Sequence, residues 1–98
     1  MTKLEQRIYD WHLRRFGTTL VDVHATFRKL CEEVGELGEA IMNGDCANFE
    51  EELGDVGIVL AHLARCTPSG SLKYAMKQSL EKIERRLVEK NAQPTTAE

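Results

Sequence analysis

The stretch KLCEEVGELGEAI, residues 29–41, decides the fold. Its apolar residues recur three and four positions apart, a spacing that predicts a helix with one buried face. Its glutamates follow one another with no Lys or Arg between them, namely Glu32, Glu33, Glu36 and Glu39. Like charges four positions apart destabilise a helix by a few tenths of a kcal/mol per pair. Something outside the stretch must therefore balance this charge.

The rest of the chain has the same helical periodicity, and no run alternates with period two. The fold class is therefore predicted to be all-α, with four helices. A first helix ends near Gly17, and a second spans about 22–44, because Gly and Asn are common helix stops. A third helix, capped by Asp45, runs to about Cys66, and the breaker sequence TPSG at 67–70 separates it from a fourth.

Each of the last three helices carries one apolar stripe, which we expect to face a shared core. The stripes are Phe27, Leu30, Val34, Leu37 and Ile41 on the second helix, Leu53, Val56, Leu60, Leu63 and Ala64 on the third, and Leu72, Met76, Leu80, Ile83 and Leu87 on the fourth. The acidic helices also contain Gly35, Gly38, Gly54 and Gly57. Because each costs up to ~1 kcal/mol relative to Ala inside a helix, we expect another backbone to pack closely there, partly from a second subunit.

Length and composition limit the class of protein. With 98 residues, 42% hydrophobic content and a net charge of −3, the chain fits one domain over residues 1–90, followed by a flexible tail at 91–98. A core of this size gives modest stability, so a homo-oligomer is expected. The cysteines lack disulfide or metal-site spacing, and the longest apolar run, VGIVLAHLA at 56–64, is shorter than the ~20 residues of a membrane span. We therefore expect a cytoplasmic protein that binds no membrane.

The two signs of charge are separated along the chain. Residues 30–64 contain nine acids and no Lys or Arg, whereas the remainder has seven acids against 13 bases. The middle of the chain is thus a negative hairpin with positive flanks. Binding to nucleic acid is disfavoured, because an acidic surface repels phosphates unless cations lie between them.

Two pairs of acids have a spacing that brings them together. Glu33 and Glu36 lie about 60° apart on one flank of the second helix, and Glu52 and Asp55 stand in the same relation on the third. A short connection makes these helices antiparallel neighbours, so the four carboxylates converge. Since hard cations such as Mg²⁺ or Mn²⁺ take carboxylate oxygens, the pattern predicts a metal site.

Other interpretations of the acidic pattern stay open. An isolated E-E-x-x-E is most often a solvated helix surface, and Glu39, Glu50 and Glu51 fit that interpretation. A di-iron bundle calls for Glu-x-x-His, and none of the three histidines has a Glu three residues before it. His62 falls on the same side of the third helix as Asp55, where a lone histidine is typical of a structural residue or, less often, of a site.

The segments KLCEEVGELGEAI and EEELGDVGIVLAHLA, the latter at 50–64, carry a family resemblance. Over roughly residues 27–88 the chain resembles the MazG-like, all-α nucleoside triphosphate pyrophosphohydrolases, whose signature is E-E-x-x-E followed by E-x-x-D. The resemblance implies a four-helix module with a helical hairpin core, assembled as a tight dimer or a dimer of dimers. It also implies an Mg²⁺-dependent enzyme that cleaves a nucleoside triphosphate between the α and β phosphates, releasing monophosphate and pyrophosphate.

The resemblance also implies roles for individual residues. The metal ligands it indicates are Glu33, Glu36, Glu52 and Asp55. Glu33 belongs to the catalytic set together with Glu32, which matches an acid that orients or deprotonates the attacking water. The segment SLEKIERRL at 79–87 resembles the family's basic closing helix, so Lys82 and Arg86 are the candidates for phosphate contact. Trp11 is the candidate for stacking on the base, as an N-terminal aromatic residue.

Several features of the function stay open at this point. The base and sugar, the number of metal ions and the choice between dimer and tetramer are undetermined, and phosphoribosyl-ATP stays among the candidate substrates. Removal of unwanted nucleotides from the cellular pool is the expected role. An alternative from another class is a non-enzymatic helical dimerisation or regulatory module, whose acidic hairpin binds a basic partner or a metal.

Overall fold

The computed structural model describes residues 1–92, which form four α-helices and no strand. The helices are α1 (Lys3–Phe16), α2 (Val23–Asn43), α3 (Cys46–Ala64) and α4 (Leu72–Ala92). The predicted all-α class is therefore confirmed. Because α4 continues to Ala92, the first two residues of the expected tail are helical, and positions 93–98 lie outside the described residues. No helix within residues 1–92 is long and apolar enough to cross a membrane.

The helix boundaries follow from local capping. The Asp22 side chain accepts hydrogen bonds from the backbone N–H groups of the first turn of α2, and Asp45 does the same for α3. Gly17 and Gly44 end α1 and α2 with φ of 71° and 67°, in the left-handed region that glycine enters without a Cβ penalty. α3 ends at Ala64, slightly before the predicted Cys66.

Helix α3 is the centre of the fold, and it contacts each of the other three helices. Only Gly44 and Asp45 separate α2 from α3, so the two helices form an antiparallel hairpin and pack along each other. The buried apolar residues are few and lie mostly on α3: Tyr9, Ala40, Val56, Val59, Ala61 and Ala64. The hairpin is therefore the structural unit that positions the acidic residues.

Tyr9 fixes α1 against the end of α3. Its buried hydroxyl lies 3.2 Å from the carbonyl oxygen of Ala61 and 2.9 Å from that of Gly70, so the phenolic hydrogen is shared between two acceptors. The Arg65 guanidinium lies over the Tyr9 ring at 4.5 Å from its centroid. These contacts hold the N-terminal helix where its next residues reach the hairpin.

Glu5 joins α1 to the start of α4. Its buried carboxylate accepts hydrogen bonds from the Ser71 hydroxyl at 3.0 Å and from the backbone N–H of Leu72 at 2.7 Å. It also accepts from the backbone N–H of Thr2 in a capping box. Burial by itself raises the pKa of Glu5, but the hydrogen bonds from Thr2, Ser71 and Lys73 outweigh it and lower the pKa to about 2. A negative charge at the N-terminus of α4 also stabilises that helix.

Replacing Glu5 by Gln is expected to lower the free energy of unfolding at neutral pH by about 1 to 3 kcal/mol. Because the pKa of Glu5 falls from 4.5 to about 2 on folding, its contribution is complete above pH 4.5 and is lost as the pH falls through about 2. Urea denaturation followed by circular dichroism should show the difference in free energy of unfolding between wild type and variant decreasing over that pH range. Glu81→Gln, at an exposed position of α4, is the control. A difference in free energy of unfolding that does not change with pH would contradict this role of the carboxylate.

The apolar stripe of α4 is exposed in the single chain, contrary to the expectation that it faces a shared core. Met76, Leu80, Ile83 and Leu87 expose 62%, 56%, 58% and 57% of their surface, and α4 has no buried residue within the described part. Parts of the hairpin stripes are similarly exposed, namely Phe27, Val34, Ile41 and Leu53. The Cα radius of gyration, 17.8 Å, exceeds the ~13 Å of a compact domain of this length.

The glycines of the acidic helices are also open in the single chain. A Cβ built at Gly35, Gly38, Gly54 or Gly57 would meet no atom within 4 Å among the described residues. The expected close approach is therefore absent within residues 1–92, because α2 and α3 meet on other faces. Contiguous exposed apolar surface of this kind marks a protein–protein contact.

Candidate metal centre and adjoining cavity

Three carboxylates from the two hairpin helices meet at one point. Glu33 and Glu36 of α2 and Glu52 of α3 each offer an oxygen, and these oxygens lie within 4.8 Å of one another. Glu33 is buried, Glu52 is half-buried and Glu36 is exposed. The i, i+3 spacing on α2 places two of them on one flank, and the antiparallel turn brings α3 alongside. Three of the four predicted metal ligands are thus neighbours.

The residues of this carboxylate cluster, Glu33, Glu36 and Glu52, are suited to binding a divalent cation. One oxygen each of Glu33 and Glu52 is buried without a hydrogen-bond partner among the described residues. Burial raises the pKa of the Glu52 carboxyl, and the adjacent Glu36 raises it further. Buried acceptors without donors are costly, and a set made only of carboxylate oxygens is one that Mg²⁺ or Mn²⁺ prefers.

Asp55 lies at the edge of the carboxylate cluster. It follows Glu52 by three residues on α3, and its charge is among the causes that raise the pKa of Glu52. It lines the same cavity as Glu33, but it does not belong to the set of three mutually close oxygens.

The remaining acids of the hairpin are at the surface. Glu39, Glu50 and Glu51 are exposed, as the solvated-surface interpretation expects. Glu32 is also exposed, with an oxygen 3.8 Å from the Lys29 amine, and it is not part of the carboxylate cluster. Glu32 is not among the residues that line the cavity, and its role at an attacking water stays a prediction.

Lys29 is a member of the site that the sequence analysis did not identify. Its amine lies 3.0 Å from a Glu33 oxygen, and it lines the same cavity. The hydrogen bond to Glu33 raises the pKa of Lys29. The signal was present in the sequence, because Lys29 precedes Glu33 by four residues, the spacing of a helical ion pair. Lys29, the first residue of the stretch 29–41, therefore balances part of the charge of its glutamates, whereas the balance was expected from outside the stretch.

A cavity of about 680 Å³ opens beside the carboxylates, between α1, α2 and α3. One end is lined by Lys29, Glu33 and Asp55, and the other by the rings of Trp11, His12, Phe16 and His62. Trp11 and Phe16 meet edge to face, with centroids 6.0 Å apart. The predicted base-stacking residue Trp11 therefore lines a cavity whose charged and aromatic ends suit different parts of one ligand.

Two histidines stand side by side at the aromatic end. The ring centroids of His12 and His62 are 5.2 Å apart, and Nδ1 of His12 lies 2.9 Å from the carbonyl oxygen of Thr18. His62 Nε2 is buried and has no hydrogen-bond partner within residues 1–92. Burial lowers the pKa of His62, and the neighbouring His12 lowers it further, so the neutral imidazole is favoured.

The predicted phosphate contacts Lys82 and Arg86 are not part of this cavity in the single chain. Both are exposed on α4, and neither is among the residues that line the cavity. Helix α4 begins beside Glu5, shortly after the end of α3, whereas the acidic residues of the hairpin lie toward the other end of α3. One chain alone therefore brings the acids and aromatic rings together without these two bases.

The fold and the site together define an all-α protein built on an acidic helical hairpin, with a candidate divalent-cation centre beside a ligand-sized cavity. Residues 22–89 match the family model of the MazG nucleotide pyrophosphohydrolase domain, so the chain belongs to that family. The match begins at the N-cap of α2 and ends within α4, and the resemblance seen in the two acidic segments is confirmed. Helix α1, which supplies Trp11, His12 and Phe16, lies outside the match. No match was found among curated proteins or solved structures.

Proposed function

We propose that the protein is an Mg²⁺-dependent nucleoside triphosphate pyrophosphohydrolase, which cleaves between the α and β phosphates to give a monophosphate and pyrophosphate. The observation that carries the proposal is the group of carboxylates with buried, unpartnered oxygens at the charged end of the cavity. The family match to nucleotide pyrophosphohydrolases supports the same chemistry. Carboxylates repel a triphosphate, so the substrate needs a cation between it and the protein.

In this proposal Glu33, Glu36, Glu52 and Asp55 hold Mg²⁺, for which Mn²⁺ can substitute. The cation would supply neutralisation of phosphate charge and activation of the attacking water. Glu33 is shielded from solvent, and in the single chain its carboxylate pairs with Lys29 of the same helix. Glu32 is assigned the role of orienting or deprotonating the attacking water. Lys29 lies 3.0 Å from Glu33 and lines the cavity, so it would be free to contact phosphate once Glu33 held a cation.

Trp11 stacks on the base at the aromatic end of the cavity, where the single tryptophan of the chain presents its ring. Lys82 and Arg86 do not line the cavity of their own chain, so we assign the outer-phosphate contacts to Lys82 and Arg86 of the partner subunit. This assignment requires a homo-oligomer, either a dimer or a tetramer. The exposed stripe of α4 supports one, because its large apolar side chains lack a partner in the single chain.

The proposed biological role is the removal of unwanted nucleotides, of the deoxynucleoside triphosphate class, from the cytoplasmic pool.

The test is pyrophosphate release from a panel of ribo- and deoxyribonucleoside triphosphates, with phosphoribosyl-ATP included. With Mg²⁺ we expect turnover of at least one nucleotide, equal release of monophosphate and pyrophosphate, and loss of activity on addition of a chelator. Release of inorganic phosphate in place of pyrophosphate would contradict the bond assignment. No turnover of any member would favour the non-enzymatic helical module, whose exposed α4 stripe would then be a docking surface.

A further inference from the structure

Lys29 is the counter-ion of the carboxylate cluster in the single chain. Its amine lies 3.0 Å from an oxygen of Glu33 and 3.8 Å from an oxygen of Glu32. Between residues 1–92, no other Lys or Arg forms an ion pair with an acidic side chain. Lys29 is therefore the one basic side chain of this part of the chain that is bound directly to a predicted metal ligand.

A cation bound by Glu33 would compete with Lys29. Glu33 is one of the three residues whose oxygens meet in the cluster, and its side chain is only 8% exposed. A divalent cation at that carboxylate and the ammonium beside it are both positive, so they repel each other. Because Glu33 is shielded from solvent, water and salt screen this repulsion less than they screen charges at the surface. Lys29 paired with Glu33 therefore weakens the affinity of the cluster for a cation.

Lys29 has a second place to bind, because it also lines the cavity. No other Lys or Arg of the described residues does so. Its side chain is 56% exposed and has a flexible four-carbon stem, so the ammonium can move. A triphosphate at the acidic end of the cavity would bring anionic oxygens to the same end as Lys29, and a Lys ammonium binds phosphate as a point charge. Phosphate and Glu33 are thus alternative partners for one ammonium.

We propose that Lys29 couples the binding of the cation to the binding of the nucleotide. Without nucleotide, Lys29 pairs with Glu33 and opposes the cation, so the cluster takes up Mg²⁺ weakly. With a triphosphate in the cavity, Lys29 binds phosphate and Glu33 is released to the cation. Each ligand then strengthens the binding of the other by the same factor. The inference rests on the proposed function, because it places the triphosphate at the acidic end of the cavity.

Binding of Mn²⁺ to the protein alone tests the competition without any turnover. Lys29→Met keeps the unbranched stem and removes the charge, and we expect the dissociation constant for Mn²⁺ to fall about 5- to 10-fold. Electron paramagnetic resonance of unbound Mn²⁺ measures this constant. An unchanged or weaker Mn²⁺ affinity in Lys29→Met would overturn the inference, as would the absence of Mn²⁺ binding from both proteins.

Arg28→Met is the matched control for the loss of one positive charge. Arg28 is the neighbouring residue on α2, it is exposed, and it does not line the cavity or form an ion pair between residues 1–92. Its charge is screened by solvent, so the Mn²⁺ affinity of this variant should stay within about 2-fold of wild type. An equal gain of affinity in the two variants would show that net charge, and not the contact of Lys29 with Glu33, opposes the cation.

Nucleotide binding tests the coupling itself. Quenching of the fluorescence of Trp11, which lines the cavity and is the single tryptophan, measures the affinity with and without Mn²⁺. The ligand is the tightest-binding member of a panel of non-hydrolysable α,β-imido deoxynucleoside triphosphates. The factor by which Mn²⁺ tightens its binding should be about 5-fold smaller in Lys29→Met than in wild type. Complexation of Mn²⁺ by free nucleotide is common to both proteins and cancels from the comparison.

The outcomes separate the coupling from the proposed function. An equal factor in wild type and Lys29→Met, or no binding of any analogue, would overturn the coupling. If the factor falls as expected but no nucleoside triphosphate is hydrolysed, the proposed function fails and the coupling by Lys29 stands.

Discussion

Glu36→Gln is expected to lower kcat/KM for pyrophosphate release by at least about 100-fold, a loss at or above that seen when groups supporting a metal ligand are removed. The substitution keeps the size and shape of the side chain and removes one charge from the group that it forms with Glu33 and Glu52. The remaining carboxylates bind a cation less tightly, and the triphosphate loses its bridge to the protein. Steady-state assays over a range of Mg²⁺ concentrations should show the loss and its partial recovery at high Mg²⁺.

Stability measurements separate this effect from misfolding. Because Glu36→Gln removes repulsion among like charges, the free energy of unfolding without metal is expected to stay constant or rise by up to about 1 kcal/mol. Glu39 is on the same helix but is exposed and lies outside the carboxylate cluster. Glu39→Gln should therefore keep activity within about 2-fold of wild type. Equal losses in the two variants would show that total charge, and not a metal centre, is what matters.

Ile83→Asp is expected to convert the proposed oligomer into monomers. Ile83 lies in the middle of the exposed α4 stripe, between Leu80 and Leu87, and a carboxylate buried there without a partner costs several kcal/mol. Since ~1.4 kcal/mol changes an equilibrium tenfold, the dissociation constant should rise by about 100-fold or more. Light scattering coupled to size-exclusion chromatography measures the mass. Activity should fall together with the mass, because the proposed phosphate contacts come from the partner subunit.

The control for this substitution adds the same charge to another face of α4. Gln78 precedes Ile83 by five residues and lies about 140° away around the helix, so Gln78→Asp should leave the mass unchanged. A wild-type protein that is monomeric at all concentrations would contradict the assignment of the α4 stripe to a subunit contact. So would an Ile83→Asp variant that keeps the wild-type mass.

The helix boundaries could be predicted from sequence because capping is local. Asp22, Gly44 and Asp45 act on backbone groups within a few residues of themselves, and the structure has them in those roles. The surface that covers the apolar stripes could not be predicted in the same way. Periodicity identifies an apolar face, as at Ile83, but it does not say whether the same chain or another copy covers it.

The same distinction applies to the site. Glu33, Glu36 and Glu52 were predictable neighbours, because helical spacing and one tight turn determine where they lie. Glu5 and His12 were not identified, because their roles depend on contacts between helices that no short-range pattern reveals. Lys29 is different, because its spacing of four residues from Glu33 is visible in the sequence.

The most direct test of the central claim, that α2 and α3 together hold the cation that binds the triphosphate, is an anomalous diffraction measurement. Crystals grown with Mn²⁺ and a non-hydrolysable nucleoside triphosphate should give an anomalous peak about 2.0 to 2.2 Å from oxygens of Glu33, Glu36 and Glu52, next to phosphate density. Absence of a peak between the two helices, with Lys29 still bound to Glu33 and the nucleotide bound elsewhere, would contradict the account.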